Sequence, residues 1–429
     1  MRILLIVVYY PPHTMSAAHL MRDLAREYVL QGHQVMVVTP SDSILTPKSV
    51  IIEDGVTVVR VRTGAMKNAN KILRLWRESQ LSVNIWRNAR EVFQKNPCDL
   101  IVFYSPTIFF GHLVKRLKTL WSCPAYLILR DIFPQWAVDA GILRKGGVLH
   151  RFLRHNEIAQ YAAADIIGVE ARGNLSYFNE DLRQNKFHVE ILNNWISEQI
   201  NLSSTACWRK KLGLDDKVVF CYGGNIGVAQ DVRNILRLAT GLRERDDIFF
   251  LLIGDGNEVQ QLNLEIDRLD LNNIKILPAM PEREYMHCLS ECDVGLVSLA
   301  RSLRSHNCPG KVLGYISCGK PILASLNPDN DLIALLLLAD AGIACTNGDD
   351  DELHNAAVLL ANEPLVRQRM GKNARLLSDT TFSVHAIAKQ ILSHFVIAPD
   401  REMPVWQSAH QKLSQKSSSL VENYSGDEQ

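Results

Sequence analysis

The sequence lacks any apolar stretch long enough to cross a membrane as a helix. Its longest apolar runs are eight residues each, one starting at Ile3 and one at 332–339, whereas a spanning helix needs about 20. The N-terminal run lies at the lower limit of a signal-peptide core, and no small-residue cleavage site follows it. We therefore expect a buried parallel strand there and a cytoplasmic protein.

The sequence also lacks paired cysteines. The nine cysteines form no CxxC pair and are odd in number, so in a chain of 429 residues they indicate reduced thiols rather than a disulfide framework. Cys288 and Cys292 are spaced for one helix face, but no nearby His or Cys would complete a zinc site. No metal site is predicted.

The net charge is only +1, which argues against nucleic acid as a partner. The charge is nevertheless uneven. Residues 1–197 carry 24 basic and 16 acidic side chains, a net of +8, and the remainder carries 23 and 30, a net of −7. The length suits two domains, and the opposite signs suggest that they face different partners.

Strand-like and helix-like segments alternate along both halves. In the first half, strands are predicted at 3–8, 35–39, 56–61, 100–104, 126–129, 165–169 and 188–192. In the second half, they are predicted at 218–222, 248–253, 274–277, 294–298, 321–324 and 342–345. The pattern places 56–61 at a sheet edge and a long basic helix at 70–95. This α/β order predicts two Rossmann-like, doubly wound parallel sheets with a ligand cleft between them.

The predicted division of the chain has four parts. They are an N-terminal domain at 1–197, a C-terminal domain at 198–380, a crossover helix at 381–398 and a disordered tail at 399–429, which is rich in Ser, Gln and Glu.

Three loops that follow predicted strands carry glycines, which allow a ligand close to the backbone. They are 223–227, with three glycines, the Gly-Asp-Gly of 254–256, for which a tight turn is the alternative, and the loop that ends at Pro309-Gly310-Lys311. Lys311 would begin a helix, where a cation is unfavourable unless an anion such as a diphosphate binds beside it. A solvated lysine is the alternative.

These loops belong to a longer pattern. Its segments are YYPP, GHQVMVVTP, ADIIGVEARGNL, YGGNIGVAQD, IGDGNEVQQL and CPGKVLGYISCGKPILAS. In order and spacing they resemble the retaining glycosyltransferases of family 4, in the bacterial O-antigen, capsule and exopolysaccharide branch. The resemblance spans 1–398. It implies a GT-B fold, an acceptor-binding N-terminal domain, a nucleotide-sugar-binding C-terminal domain and transfer without a metal or other cofactor.

The resemblance also implies donor-binding residues. The diphosphate would meet Lys311 and the backbone beside it, and the nucleotide base and ribose would lie near 254–256 and Met280. The full set is Gly224, Asn225, Gly227, Gly254, Asp255, Gly256, Met280, Pro309, Gly310, Lys311, Val312 and Leu313.

The chain departs from the family at charged positions. His306 and Gly314 stand where two glutamates are usual, and Asn225 and Gln230 stand where an arginine and a lysine usually neutralise the diphosphate. These departures remove much of the charge expected at the leaving group.

We expect four residues to carry catalysis in their place. Lys311 and Arg130 would supply positive charge to the leaving group, and His306 could donate to it, unless it is a loop histidine in water. Asp131 would orient Arg130 or accept a hydrogen bond from the acceptor. A structural salt bridge is the alternative.

Two basic segments, 67–95 and 114–121, interleave cations with tryptophan and aliphatic residues. This composition is typical of an interfacial membrane element, so we expect contact with the anionic inner leaflet. A surface helix with a buried apolar stripe is the alternative. No nucleic-acid-binding motif is present.

The sequence therefore predicts a retaining glycosyltransferase, peripherally bound at the inner membrane. It would move a hexose or N-acetylamino sugar from a UDP- or GDP-sugar to a polyprenyl-diphosphate-linked glycan in surface polysaccharide synthesis. A non-catalytic GT-B-like partner subunit is the alternative. A nucleotide-sugar epimerase would need carboxylate and histidine acid/base groups in the cleft, and no paired carboxylates follow the strands.

Overall fold

Two groups of short apolar strands, one in each half of the chain, assemble into two sheets. A computed structural model describes residues 1–13, 15–64, 71–139, 141–180, 182, 187–196, 208–303 and 308–395. The first sheet has eight strands in the order β3-β4-β2-β1-β5-β6-β7-β8, and the second has six in the order β11-β10-β9-β12-β13-β14.

The strands follow one another along the chain in two sets. The first sheet contains β1 (Arg2–Ile6), β2 (Gln34–Ser41), β3 (Lys48–Glu53), β4 (Val56–Arg62), β5 (Leu100–Tyr104), β6 (Ala125–Leu129), β7 (Ile166–Val169) and β8 (Val189–Ile191). The second sheet contains β9 (Val218–Gly223), β10 (Ile248–Ile253), β11 (Ile274–Leu277), β12 (Val294–Ser298), β13 (Ile322–Leu326) and β14 (Gly342–Thr346).

Helices connect these strands in both halves. In the first half they are α1 (Ser16–Leu30), α2 (Lys71–Ser79), α3 (Leu81–Lys95), α4 (Gly111–Trp121), α5 (Gln135–Asp139), α6 (Val148–Tyr161) and α7 (Arg172–Glu180). From the second half come α8 (Trp208–Leu212), α9 (Arg233–Gly241), α10 (Val259–Arg268), α11 (Glu282–Ser290), α12 (Lys311–Ser317), α13 (Asp331–Ala339), α14 (Asp350–Asn362), α15 (Pro364–Thr381) and α16 (Val384–Ser393).

The central strands are buried on both faces, as a helix-covered parallel sheet requires. Every residue of β5, β6 and β12 is buried, and all strand pairs but one are parallel. The exception is β3, which pairs antiparallel with β4 and forms the edge of the first sheet. The prediction that 56–61 is an edge strand is therefore wrong, because β4 lies between β2 and β3.

The basic segment 67–95 differs from the predicted single helix. Residues 67–70 lie outside the described residues, and the rest forms α2 and α3, which meet at Gln80. Most apolar side chains of α3 face the core, where Phe93 is fully buried and stacks on Trp86, but Val83 is 42% exposed. From α4, Trp121 packs edge-on against Phe93 and donates to its carbonyl oxygen at 3.1 Å. Trp86 and Trp121 therefore stabilise the core, as in the alternative interpretation of a buried stripe.

Both sheets belong to one compact unit, Met1–Ile391, and Leu392–Gln429 forms a second, of which 392–395 are described. The four-part division of the chain remains a prediction, since its boundary at 197/198 and its tail lie outside the described residues. Within the described part of the chain, no helix combines the length and the apolar character needed to cross a bilayer.

Helix α4 packs directly on the backbone of α6, and this contact generates a testable prediction. A Cβ at Gly111 would lie 2.7 Å from Cα of Gln160. Gly111→Ala should therefore force the two helices apart and lower the melting temperature, by the equivalent of about 1–3 kcal/mol. In α12, a Cβ at Gly314 would lie 3.6 Å from the nearest atom, so Gly314→Ala is the matched control. Equal melting temperatures for the two variants would contradict this packing.

Candidate functional site

The strand order of the second sheet reverses between β9 and β12, so the loops after these strands diverge. Ligands of doubly wound folds bind where such loops separate. A cavity of about 310 Å³ opens at this point, and it is lined by Asn225, Gln230, Leu299, Leu303, Cys308, Pro309, Gly310 and Lys311. The lining includes four of the residues predicted to bind the donor or to take part in catalysis.

Lys311, the first residue of α12, is the cation of this cavity. Its ammonium nitrogen lies 3.4 Å from the centroid of the Tyr222 ring, a cation–π contact from β9. The nitrogen is buried and has no hydrogen-bond partner among the described residues. Burial lowers the pKa of Lys311 to about 7, because the charged form loses its hydration. A bound anion would offset this loss of hydration by pairing with the ammonium.

Two neutral amide side chains, those of Asn225 and Gln230, line the cavity together with this cation. Asn225 Nδ2 donates to Gln230 Oε1 at 2.7 Å, and Tyr222 donates its hydroxyl hydrogen to the backbone oxygen of Asn225 at 2.6 Å. Among the described lining residues, Lys311 is the one cation. The two amides that replace the usual arginine and lysine are therefore brought together by the fold, as a hydrogen-bonded pair without charge.

Tyr315 fixes the helix that carries Lys311. Its hydroxyl accepts from the backbone N–H of Gly223 at 3.0 Å and donates to the backbone oxygen of Leu296 at 2.9 Å. These two bonds tie α12 to the neighbouring strands β9 and β12. Val312 is fully buried beside them, so α12 is held by its inner face while Lys311 borders the cavity.

The glycines at 254 and 256 let two loops pack against each other. A Cβ at Gly254 would lie 1.8 Å from the Gly224 oxygen, and one at Gly256 would lie 2.0 Å from the Ile226 oxygen. Two backbone bonds of 2.9 Å join the same loops, from Gly224 N to Ile253 O and from Ile226 N to Asp255 O. The glycines thus have a packing role, and their contact with a donor remains a prediction.

The other predicted donor residues lie around this pair of loops. At Gly227 a Cβ would lie 2.9 Å from Asn225 Nδ2. Asp255 Oδ1 accepts from the Ala279 N–H at 3.3 Å, and Met280 is partly buried against the core of the second sheet. Leu313 packs on the same core.

The Arg130 side chain is partly buried and makes its hydrogen bonds within the protein. Its guanidinium donates to the backbone oxygens of Leu192 and Asn193, at 2.6 and 3.1 Å, and lies over the Trp195 ring at 5.6 Å. Burial lowers the pKa of this guanidinium, and burial also raises the pKa of Asp131. No ion pair joins these two described residues, and the roles predicted for Arg130 and Asp131 in catalysis remain predictions.

Glu170 was missed by the sequence analysis. It directly follows β7, as Arg130 directly follows β6. Residues that directly follow strands are candidates for ligand binding in this type of fold. Asn194 Nδ2 donates to its carboxylate at 3.0 Å, and burial raises its pKa while the Arg130 charge opposes that rise. The pKa of Cys308, in the lining of the cavity, is raised to about 12, mainly by burial and then by the charge of Glu170. Glu170 is therefore close enough to Cys308 for its charge to act on that thiol, although it does not itself line the cavity.

His306 lies outside the described residues. Within the described residues, no group of three or more His, Cys, Asp or Glu side chains is placed to hold a metal ion.

Comparisons with known proteins give the cavity its context. Residues 205–377 match the family described as Glycosyl transferases group 1. The second sheet lies within the segment that matches this family model. The chain is 26% identical over 235 residues to WbjE of Pseudomonas aeruginosa, named as a glycosyltransferase, in a match that covers 52% of this chain and 56% of WbjE. The chain thus spans about half of WbjE.

Two further similarities extend over nearly the whole chain. WcaI of Escherichia coli strain K12, named as a colanic acid biosynthesis glycosyl transferase, is 21% identical over 415 residues, which cover 92% of this chain and 99% of WcaI. The crystal structure of HepE from Anabaena in complex with UDP aligns with a TM-score of 0.61 at 16% identity, over 92% of this chain and 99% of HepE. The predicted GT-B fold is confirmed.

The buried ammonium of Lys311 generates a prediction about the free protein. Because its pKa is about 7 in the folded protein, below the ordinary lysine value of 10.5, the unfolded chain binds more protons between these values, and stability contributed by this site rises with pH across that window. The cost of the buried charge is therefore largest below pH 7. Lys311→Met should raise the melting temperature, and by more at pH 6 than at pH 9.

The exposed Lys372 supplies the matched control. Lys372→Met should leave the melting temperature nearly unchanged at both pH values. A Lys311→Met protein that melts at or below the temperature of the parent at pH 6 would contradict the burial of an unpaired charge.

Proposed function

We propose that the chain is a retaining glycosyltransferase of family 4 that takes a hexose or N-acetylamino sugar from a UDP- or GDP-sugar. The observation that carries this proposal is the unpartnered Lys311 ammonium at the switch point of the second sheet. A diphosphate is the anion that a donor would bring there. The match of 205–377 to the group 1 glycosyl transferases supports the assignment, and so does the UDP bound in the structure of HepE.

The acceptor in this proposal is a polyprenyl-diphosphate-linked glycan in the synthesis of a surface polysaccharide. The name of WcaI, which refers to colanic acid biosynthesis, supports this class of product. The chain would act in the cytoplasm at the inner face of the membrane, as a peripheral protein. Its first domain, with a net charge of +8 over 1–197, suits an anionic surface.

The proposed reaction needs no nucleophile from the protein. An oxygen of the donor diphosphate takes the proton of the acceptor hydroxyl on the face of the sugar from which the diphosphate departs. The acceptor oxygen bonds to the anomeric carbon on that same face, so the anomeric configuration is retained. Lys311 stabilises the charge that develops on the departing diphosphate. Glu170, whose charge acts on Cys308 in the cavity lining, would accept a hydrogen bond from a sugar hydroxyl. The donor loops and α12 hold the reactants in position.

The test is nucleotide binding by the purified chain. A thermal-shift screen with UDP, GDP, dTDP and CMP should show stabilisation by one nucleotide, with or without EDTA, and a ligand at 100 times its dissociation constant adds about 2.7 kcal/mol. Lys311→Met should abolish most of this shift and lower the transfer rate by about 10²–10³-fold, the usual cost of one donor to a developing anion.

The control is Lys372→Met, which should bind and transfer like the parent. Nucleotide binding that is equal in Lys311→Met and the parent would contradict the diphosphate assignment. Binding without any transfer to lipid-linked acceptors would favour the non-catalytic partner subunit, because the neutral Asn225–Gln230 pair would then leave the diphosphate too weakly stabilised.

A further inference from the structure

Helix α6 exposes three apolar side chains. Val148, Leu149 and Phe152 are 80%, 47% and 46% exposed. The side chains that α6 buries are Leu153 and Tyr161 and two polar ones, Glu157 and Gln160, each fully inaccessible to solvent. A surface helix ordinarily places polar side chains toward solvent, so the three exposed apolar side chains need a separate explanation.

The buried polar side chains are satisfied by the protein. Glu157 accepts from the hydroxyls of Tyr161 and Tyr177, at 3.0 and 2.6 Å, and from Arg154 at 2.8 Å. Gln160 bonds with the backbone of 107–110 through both atoms of its amide. These bonds hold α6 in place, and its exposed apolar side chains remain available to a partner.

The exposed apolar surface continues into the segment before α6. Trp136 is 50% exposed and Ile142 is 68% exposed. We define the α6 patch by its exposed apolar residues, which are Trp136, Ile142, Val148, Leu149 and Phe152. A small cluster built on Ile108, Phe109 and Leu153 lies beneath it, and Leu75 of α2 packs on the same cluster. The next residue of α2, Trp76, is 61% exposed beside it.

Cations outnumber anions in the same segment. Arg144, Lys145 and Arg151 are exposed, and none has an acidic partner within 4 Å among the residues that the structure describes. The one acidic residue between Trp136 and Phe152 is the exposed Asp139, which accepts a hydrogen bond from Gln135 at 2.8 Å. The segment of the α6 patch is therefore apolar with a net positive charge.

We propose that the α6 patch docks on an anionic lipid surface, with its apolar side chains between the acyl chains and Arg144, Lys145 and Arg151 at the headgroups. Exposed apolar side chains grouped with polar residues often mark an interaction surface. Cations around apolar side chains complement anionic headgroups, each contributing an attraction that corresponds to about a fivefold gain in binding. The proposal rests on the proposed function only for the location of the acceptor, and the membrane contact through 67–95 and 114–121 remains a separate prediction.

The test is co-sedimentation of the full chain with vesicles of phosphatidylglycerol and phosphatidylethanolamine, and with vesicles of phosphatidylcholine alone. The parent should bind the anionic vesicles and should bind less as salt is added. The triple variant Ile142→Ser, Val148→Ser, Leu149→Ser should bind them at least about tenfold less. The triple variant Arg144→Gln, Lys145→Gln, Arg151→Gln should lose at least about as much and should lose most of the salt dependence.

Matched controls come from exposed residues of the second half. They are the triple serine variant at Leu337, Leu365 and Leu376, which are 76%, 75% and 60% exposed, and the triple glutamine variant at Arg268, Lys275 and Lys372. Both should bind vesicles like the parent, and all variants should keep the nucleotide-induced thermal shift, which separates this test from that of the transferase.

Two results would overturn the proposal. One is vesicle binding that the α6-patch variants and the controls reduce equally or not at all. The other is a parent that is dimeric in solution and becomes monomeric in the serine variant, since the patch would then be an interface between copies of the chain.

Discussion

The Lys311 ammonium lies over the Tyr222 ring without a hydrogen-bond partner, and its burial costs free energy that the surrounding contacts must offset. Tyr315 ties its helix to two strands, and the glycine loops beside it are joined by backbone bonds and leave no room for a side chain. The surrounding structure keeps the ammonium away from water. The site is therefore preorganised at a cost in folding stability.

The polar contacts on the first sheet serve a different purpose. Arg130 binds the backbone oxygens of Leu192 and Asn193 and stacks on Trp195, so it fastens the end of β6 to the segment that leaves β8. Glu170 accepts a hydrogen bond from Asn194, and burial and then the charge of Glu170 raise the pKa of Cys308 in the cavity lining. The positive residue therefore positions the chain, and the acidic residue contributes charge near the cavity.

The fold could be predicted from the alternation of apolar strands with helical segments, because buried parallel strands are short and continuously apolar. The edge strand β3 escaped prediction because its six residues, Lys48–Glu53, are exposed or half-exposed and carry no buried pattern. Lys311 was predicted from its place at the start of a helix. The packing role of Gly254 could not be predicted, since it depends on the oxygen of Gly224, which is 30 positions away in the sequence. Trp86 and Trp121 looked interfacial in sequence, and their packing on Phe93, partly buried against the core, could not be predicted from the spacing of the residues.

The neutral Asn225–Gln230 pair has a consequence for the end of a catalytic cycle. A nucleoside diphosphate carries more negative charge once the sugar has left it, and every cation in the site then holds the product more strongly than the donor. Among its described lining residues the cavity has one cation and two amides, and such a lining avoids most of this difference. Nucleotide would leave a site of this kind readily, and turnover would not be limited by trapped product.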